Sequence, residues 1–311
     1  MPHNPLAQPL FWPVAWRLAL TLLAGLGGVA LAERHRLRRL GDSTLFLRVR
    51  TWAWIAPVFV LAVFTGGFVV FLLAAAIALQ RVAEYARLVR LERSYLALLA
   101  AWAIVGLLVA ALARRYFLFL PLGLFLLTCL TPILTGQTSG AHRQVSGAIF
   151  GYLYIGLPMA YLVYIKAAEP WGLQFLLVVG LAVALSDVAA FTVGSLLKGP
   201  KLAPAVSPGK TWSGAAGNLL GAALGVAILG VAVPDQWTRP GIAALVVAVA
   251  VGAVLGDLIE SFVKRDFAVK DAGTVLAGFG GVLDRVDSLL VALPLGYYAL
   301  LVADNLAGGP S

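Results

Sequence analysis

Acidic side chains concentrate near the C-terminal end of this sequence. Six of its 14 acidic residues fall within positions 257–287. Asp257 and Glu260 are three residues apart, so they would share one face of a helix, and Asp284 and Asp287 repeat that spacing. Carboxylate oxygens with no Cys or His nearby favour Mg2+, which proteins hold with one or two carboxylates and the phosphates of a substrate. The four carboxylates are therefore the predicted metal ligands.

An alternative interpretation of the same acidic segment needs no metal. Lys264, Arg265 and Arg285 lie among the acids and could pair with them where helices end at a membrane surface. Charged side chains in such positions can extend to water. The acidic segment by itself leaves both interpretations open.

A second polar segment, residues 198–212, reads KGPKLAPAVSPGKTW. Its prolines and glycines favour an extended backbone, and its lysines and hydroxyls could bind a polyphosphate. The segment is not a Walker sequence, which would read GxxxxGK[ST]. It therefore predicts a phosphate-binding loop of another kind, with candidate side chains Lys198, Lys201, Ser207, Lys210 and Thr211.

The composition indicates the elements that must position these residues. The 311 residues are 61% hydrophobic and only 12% charged, whereas soluble domains carry roughly 25% charged residues. A water-soluble globular fold is thus excluded, and the single cysteine excludes a disulfide framework and a cysteine-based zinc site. In so apolar a chain, the net charge of +9 suits anionic lipid or nucleotide phosphate rather than nucleic acid.

Apolar runs recur along the whole sequence, and a membrane-spanning helix needs about 20 apolar residues. The runs do not alternate apolar and polar residues as the strands of a membrane β-barrel do. We therefore predict an all-α, polytopic integral membrane bundle of about nine or ten transmembrane helices. The runs are 14–32, 52–80, 95–113, 117–135, 146–165, 172–197, 213–233, 241–262 and 282–303.

The run 52–80 is long for one helix and contains Thr65-Gly66-Gly67 near its middle. A single crossing would place the arginines on its two sides on opposite membrane faces, against the positive-inside bias. We therefore expect a helical hairpin that turns at the glycines. Residues 198–212 and 263–281 then share the cytoplasmic face with the arginines of residues 34–50 and 81–93.

Asp187 lies inside an apolar run, where a charged side chain marks a site by default. A transporter that relays cations past Asp187, Asp257 and Asp284 is the competing class of function. That class predicts acids spread through the membrane depth and an inverted repeat. The sequence instead concentrates its acids near one expected face.

Small residues at four-residue spacing, such as Gly217, Gly221 and Gly225 or Gly252 and Gly256, predict close helix packing.

Residues 261–287 read SFVKRDFAVKDAGTVLAGFGGVLDRVD. This segment resembles the signature of the phosphatidate cytidylyltransferases, or CDP-diacylglycerol synthases: S-x-x-K-R-x4-K-D, then P-G-H-G-G-x-x-D-R-x-D. Lys201, Ser207, Lys210 and Thr211 resemble the family's second conserved loop, and Asp187 the acidic residue before it. The matching signature positions are Ser261, Lys264, Arg265, Lys270, Asp271, Gly278, Gly280, Gly281, Asp284, Arg285 and Asp287.

The resemblance implies a membrane enzyme that transfers CMP from CTP to phosphatidic acid, giving CDP-diacylglycerol and pyrophosphate. It implies Mg2+ at Asp257 and Asp284, with Asp287, Glu260 and Asp271 as further ligands or their partners. Lys264, Arg265, Lys270 and Arg285 would neutralise phosphates, which the backbone at Gly278, Gly280 and Gly281 would let approach. Asp187, Lys201, Ser207, Lys210, Thr211 and Ser261 complete the substrate-binding set. Which loop binds CTP, whether a monovalent cation assists, and whether the protein is a homodimer stay open.

The resemblance also divides the chain and predicts where it works. Residues 1–94 would be an N-terminal membrane extension with basic loops, and 95–311 the catalytic region. The expected location is the bacterial inner membrane, with the active site facing the cytoplasm. Two positions depart from the signature, Ala277 for Pro and Phe279 for His. Because Phe cannot move a proton, a paralogue with another phospholipid acceptor, or with no turnover, is the alternative.

Overall fold

The computed structural model describes residues 4–32, 44–267 and 283–308, with side chains at 4–28, 50–267 and 286–308. Within these ranges the chain forms a helical bundle and one small β-hairpin. The helices are α1 (Phe11–Ala32), α2 (Thr44–Thr65), α3 (Gly67–Val89), α4 (Arg93–Leu112), α5 (Leu120–Thr135), α6 (Ala141–Gly151), α7 (Leu157–Ala168), α8 (Gly172–Leu197), α9 (Trp212–Ile228), α10 (Arg239–Asp266) and α11 (Leu283–Leu306). The hairpin strands are β1 (Lys201–Ala203) and β2 (Ser207–Thr211).

The described helices match the length and polarity of a membrane-spanning bundle. Eight of the described helical segments are long and apolar enough to cross a membrane, and α2 and α9 supply two shorter apolar helices. The predicted all-α polytopic fold is therefore confirmed, and the protein is an integral membrane protein.

The expected interruption of the run 52–80 lies at Gly66. Helix α2 ends at Thr65, α3 begins at Gly67, and Gly66 between them has a φ of 133°. Residues with a Cβ rarely adopt that conformation, so glycine is the residue that permits the break. Helix α3 then continues well beyond the apolar run, to Val89.

Helices α8 and α9 pack backbone to backbone along the predicted glycine stripe. A Cβ added to Gly217 would lie 2.7 Å from the Ala189 carbonyl oxygen, and one added to Gly225 would lie 2.5 Å from the Cα of Ala182. Gly221 between them meets the backbone of Leu185. The stripe therefore permits a close helix pair, as the spacing predicted.

Helices α10 and α11 use the same device. A Cβ added to Gly252 would lie 2.5 Å from the Cα of Ala292, and Gly256 lies against the backbone of Asp287. Asp257 follows Gly256 on α10, so this contact places Asp257 and Asp287 at the same level on adjacent helices. Both are predicted metal ligands.

Helix α7 is preceded by a π-helical turn at Tyr152–Gly156. Pro158 has no N–H, so it cannot give the Tyr154 carbonyl the usual helical hydrogen bond. The Leu157 N–H donates instead to the Tyr152 carbonyl, five residues back. The Tyr154 hydroxyl donates to the Gly256 carbonyl at 3.2 Å, which ties this turn to α10 beside Asp257.

The β-hairpin extends from the end of α8. Lys198 and Gly199 have φ values of 54° and 97° and turn the chain out of the helix. The strands are antiparallel, with Lys201 opposite Thr211 and Ala203 opposite Ser207. The extended backbone predicted for residues 198–212 is thus found in the two strands, whereas the chain turns at residues 198–199 and between the strands. We call this end of the bundle the hairpin end.

Candidate active site

An ion pair joins the hairpin to α10. The Lys210 ammonium on β2 pairs with Oδ2 of Asp257. The two side chains keep 25% and 37% of their surface exposed, so a ligand can reach them. The predicted phosphate-binding loop and the predicted metal ligands, 47 residues apart in sequence, therefore meet by direct contact.

Ser288 links two further carboxylates. Its hydroxyl donates to Oδ1 of Asp187 at 3.0 Å, and its N–H donates to Oδ1 of Asp287 at 2.8 Å. Asp187 also interacts electrostatically with Asp257. Helices α8, α10 and α11 thus bring together three acids that are up to 100 residues apart in sequence, and Asp187 lies near the C-terminal carboxylates.

The fourth carboxylate, Glu260, lies deeper. It is buried and forms an ion pair with Lys264 at 3.0 Å, one turn further along α10. Glu260 and Asp287 both interact electrostatically with Arg81 of α3. In this structure the alternative of ion pairing therefore describes Glu260 better than direct exposure to a ligand does.

The remaining predicted residues of the hairpin and of α10 differ in accessibility. Thr211 is buried, and its Oγ1 accepts a hydrogen bond from the Gly214 N–H at 3.1 Å, so it caps α9. Ser207 and Ser261 are partly buried, whereas Lys201 is exposed. Lys201 and Lys210 are thus available to a phosphate group, while Thr211 has a structural function already.

Exposed cations surround the hairpin. Arg265 donates from Nε to the Val206 carbonyl at 3.3 Å, which holds α10 against the hairpin turn. The Arg143 guanidinium lies 5.7 Å from the ring centroid of Phe267, so α6 also begins at this end. Together with Lys198 and Lys201, these exposed residues give the hairpin end a basic rim, which suits a polyanionic ligand.

Part of the predicted site lies outside the described residues. This holds for the motif positions Lys270, Asp271, Gly278, Gly280 and Gly281 and for the departures Ala277 and Phe279. Asp284 and Arg285 lie in the first turn of α11, but their side chains are outside the described set. The roles assigned to all of these residues stay predictions.

Carboxylate oxygens are the ligands that a hard cation prefers, but few of the described carboxylates are grouped closely together. Among the described residues, no three Asp, Glu, His or Cys side chains are grouped closely enough to hold a metal ion. Mg2+ needs only one or two carboxylates when phosphates and water complete its shell. Asp257 and Asp287, which interact electrostatically across the α10–α11 contact, fit that requirement.

The structure adds three residues that the sequence analysis did not select as site residues. Arg81 and Glu84 on α3 are buried, and Tyr154 lies in the π-helical turn; Arg81 and Tyr154 interact electrostatically with acids of the cluster, and Glu84 interacts with Arg81. A signal existed for Arg81 and Glu84, because both are charged and lie close behind an apolar stretch of sequence. By its sequence alone, however, Arg81 is typical of an arginine at the cytoplasmic membrane boundary.

The profile of the Cytidylyltransferase family matches residues 46–303, which is most of the chain. The chain belongs to the cytidylyltransferase family. The resemblance predicted from residues 261–287 is thereby confirmed, and this membrane protein is a transferase. The family match begins within α2, so it includes α3; the predicted division of the chain at residue 94 stays a prediction.

Individual relatives of this cytidylyltransferase show how far the similarity extends. The phosphatidate cytidylyltransferase of Brucella suis biovar 1 is 37% identical over 199 residues, which cover 63% of this chain and 70% of the relative. That of Bacillus subtilis strain 168 is 36% identical over 150 residues, covering 48% and 55%. Uncharacterized protein YnbB of Escherichia coli K12 is 29% identical over 293 residues, covering 92% and 96%. The similarity to YnbB therefore includes the N-terminal helices.

Proposed function

We propose that this cytidylyltransferase transfers CMP from CTP to phosphatidic acid and so forms CDP-diacylglycerol and pyrophosphate. The observation that carries the proposal is the Lys210–Asp257 contact, which joins a lysine-bearing hairpin to a carboxylate cluster inside a membrane-spanning bundle. Relatives named phosphatidate cytidylyltransferase support the choice of these two substrates.

In the proposed reaction, a phosphate oxygen of phosphatidic acid attacks the α-phosphorus of CTP. A new P–O bond forms, the bond from the α-phosphorus to the oxygen that bridges to the β-phosphorus breaks, and pyrophosphate leaves with that electron pair. The attacking phosphate is already ionised near neutral pH, so no general base is needed. The reaction is therefore compatible with Phe279 in place of the usual His.

The protein's part in this reaction is to orient two anions and neutralise their charge. Lys210 and the exposed cations Lys201 and Arg265 could bind phosphate oxygens, and the resemblance assigns the same function to Lys264, Lys270 and Arg285. Asp257 and Asp287, with Asp284, would hold Mg2+, which when bound supplies further neutralisation of the phosphates. The acyl chains would lie between helices, with the headgroup at the hairpin end.

We further propose that the hairpin end faces the cytoplasm of a bacterial inner membrane. The basic residues of the rim support this orientation, since cytoplasmic loops carry the excess of Lys and Arg. CTP would then reach Lys210 and Asp257 from the cytoplasm.

The first test is pyrophosphate release by the purified protein in detergent. CTP, phosphatidic acid and Mg2+ are supplied together and then omitted one at a time. Release that requires all three, with CDP-diacylglycerol identified by mass spectrometry, is the expected result. Folded protein that binds CTP and releases no pyrophosphate would contradict the proposed reaction.

Asp284→Asn tests the predicted metal ligand. We expect Mg2+-dependent pyrophosphate release to be lost while the thermal unfolding midpoint stays near that of the wild type. Asp266→Asn is the matched control, because Asp266 is an exposed acid at the end of α10. Unchanged release by Asp284→Asn would refute the assignment.

A second candidate is a cytidylyltransferase for another phospholipid acceptor. It is favoured by the two signature departures, Ala277 and Phe279. Its test replaces phosphatidic acid with other lipids that carry a phosphate monoester. Release with one of these lipids, and none with phosphatidic acid, would select this candidate.

A further inference from the structure

We infer that Arg81 is a positioning residue of the active site: its buried positive charge interacts with Glu260 and Asp287 and thereby influences how Asp287 and Asp257 are presented to a cation. The inference rests on the proposed function, because it deepens the assignment of these carboxylates. Arg81 lies within residues 1–94, which the sequence predicts to be an N-terminal extension.

The first support is burial. The Arg81 side chain is 0% exposed, on a helix that is long and apolar enough to span a membrane. A charged group at such depth is costly and is retained where it faces partner charges or a functional cavity. Arg87, further along the same helix, is exposed, as the side chain of a surface arginine usually is.

The second support is the identity of its partners. Arg81 interacts electrostatically with Glu84 of its own helix, with Glu260 of α10 and with Asp287 of α11, and also with Tyr154. A guanidinium has five N–H donors in one rigid plane and can serve several carboxylates at once, which an ammonium does less well. The positive charge of Arg81 therefore acts on carboxylates of three helices.

The third support is that the surroundings of Arg81 are built to hold it. Gln80 donates from Nε2 to Oε1 of Glu84 at 3.2 Å, which orients that carboxylate on the turn beside Arg81. The Tyr154 hydroxyl is fixed by the Gly256 carbonyl at 3.2 Å. These contacts limit the movement of Glu84 and Tyr154, two of the groups that interact with Arg81.

Accessibility separates this role from substrate binding. Lys210 keeps 25% of its side chain exposed and can contact a ligand, whereas Arg81 has no exposed surface. An effect of Arg81 on catalysis must therefore pass through Glu260 and Asp287. Substituting it should change cation affinity and kcat, and should leave the KM for CTP nearly unchanged.

The experiment compares Arg81→Met and Arg81→Lys with the control Arg87→Met. Mn2+ binding to each purified variant is measured from the loss of the free-ion EPR signal, beside kcat, the KM for CTP and the thermal unfolding midpoint. We expect Arg81→Met to lose about 10- to 100-fold in Mn2+ affinity and kcat, as for partners that orient metal ligands. Arg81→Lys should lose less, and Arg87→Met should resemble the wild type.

Three results would overturn the inference. They are wild-type Mn2+ affinity in folded Arg81→Met, a change confined to the KM for CTP, and a wild-type protein that binds no Mn2+. If Arg81→Met does not fold, Arg81→Lys decides: Mn2+ affinity and kcat equal to the wild type count against the inference, and loss of both in a folded protein supports it. Failure of the proposed function is separate, because Mn2+ binding is measured without substrates.

Discussion

At the scale of single residues, the site is a set of carboxylates whose partners differ. Asp257 meets an accessible lysine, Asp187 and Asp287 share Ser288, and Glu260 pairs with Lys264. Four acids of similar chemistry thus have different availability to a cation. Substitution of each should have its own signature.

Asp257→Asn removes the charge that pairs with Lys210. We expect pyrophosphate release to fall by at least about 100-fold, because loss of a ligand should cost no less than loss of an outer partner. The rate of pyrophosphate release at saturating Mg2+ measures the effect, with Asp266→Asn as control. A fall of less than about threefold would contradict a role for Asp257 in the reaction.

Ser288→Ala removes the hydroxyl that donates to Asp187 and leaves the backbone bond to Asp287. A moderate loss of activity, about 10-fold, is expected because the carboxylate keeps its place but loses its orientation. Ser195→Ala is a suitable control, since the exposed Ser195 hydroxyl only donates to the Thr192 carbonyl of its own helix. Equal activity of the two variants would show that the Ser288 bond is dispensable.

At the scale of elements, glycines decide how closely the site helices approach. Gly221→Ala would push a methyl group onto the Leu185 carbonyl oxygen. We expect it to destabilise the protein by about 1–3 kcal/mol, as overpacking does, and to lower the thermal unfolding midpoint in detergent. Gly67→Ala is the control, because a Cβ at Gly67 has no atom within 4 Å. An unchanged midpoint for Gly221→Ala would disprove the close α8–α9 contact.

At the scale of the whole molecule, the two ends of the bundle differ in the residues that they contain. At the end opposite the hairpin, Asp304 accepts hydrogen bonds from the N–H and hydroxyl of Thr238, which caps α10. Trp171, Trp237 and Tyr297 form an aromatic cluster there. Trp171 and Trp237 are thus buried core residues.

Asp304→Ala tests whether this end of the bundle is independent of the carboxylate site. Loss of the Asp304–Thr238 interaction should cost about 0.5–2 kcal/mol of stability. It should leave kcat and the KM for CTP within about twofold of the wild type, because the carboxylates lie at the other end of α10. Thermal unfolding and pyrophosphate release, measured on the same sample, check both parts. A loss of kcat in a stable variant would contradict the independence of the two ends.

The class of fold and the family could be predicted from the amino-acid sequence, together with candidate residues for the site. Apolar runs of membrane-spanning length leave a helical bundle as the fold, since backbone groups in lipid must be paired within each segment. The signature at 261–287 and the lysine-bearing loop at 198–212 indicated the family before any contact was known. The break at Gly66 and the glycine stripe of α9 were also predictable, because both depend on local backbone geometry.

Which charged side chains meet could not be predicted from the sequence, because it depends on how the helices pack in three dimensions. Lys210 and Asp257, Ser288 and Asp187, and Arg81 with Glu260 are pairs separated by dozens of residues or more, and periodicity along one helix carries no information about a partner on another. Arg81 in particular follows an apolar stretch in the same way as a charge at the membrane boundary would. Its complete burial and its electrostatic interaction with Glu260 and Asp287 are properties of the folded bundle, which the local sequence does not contain.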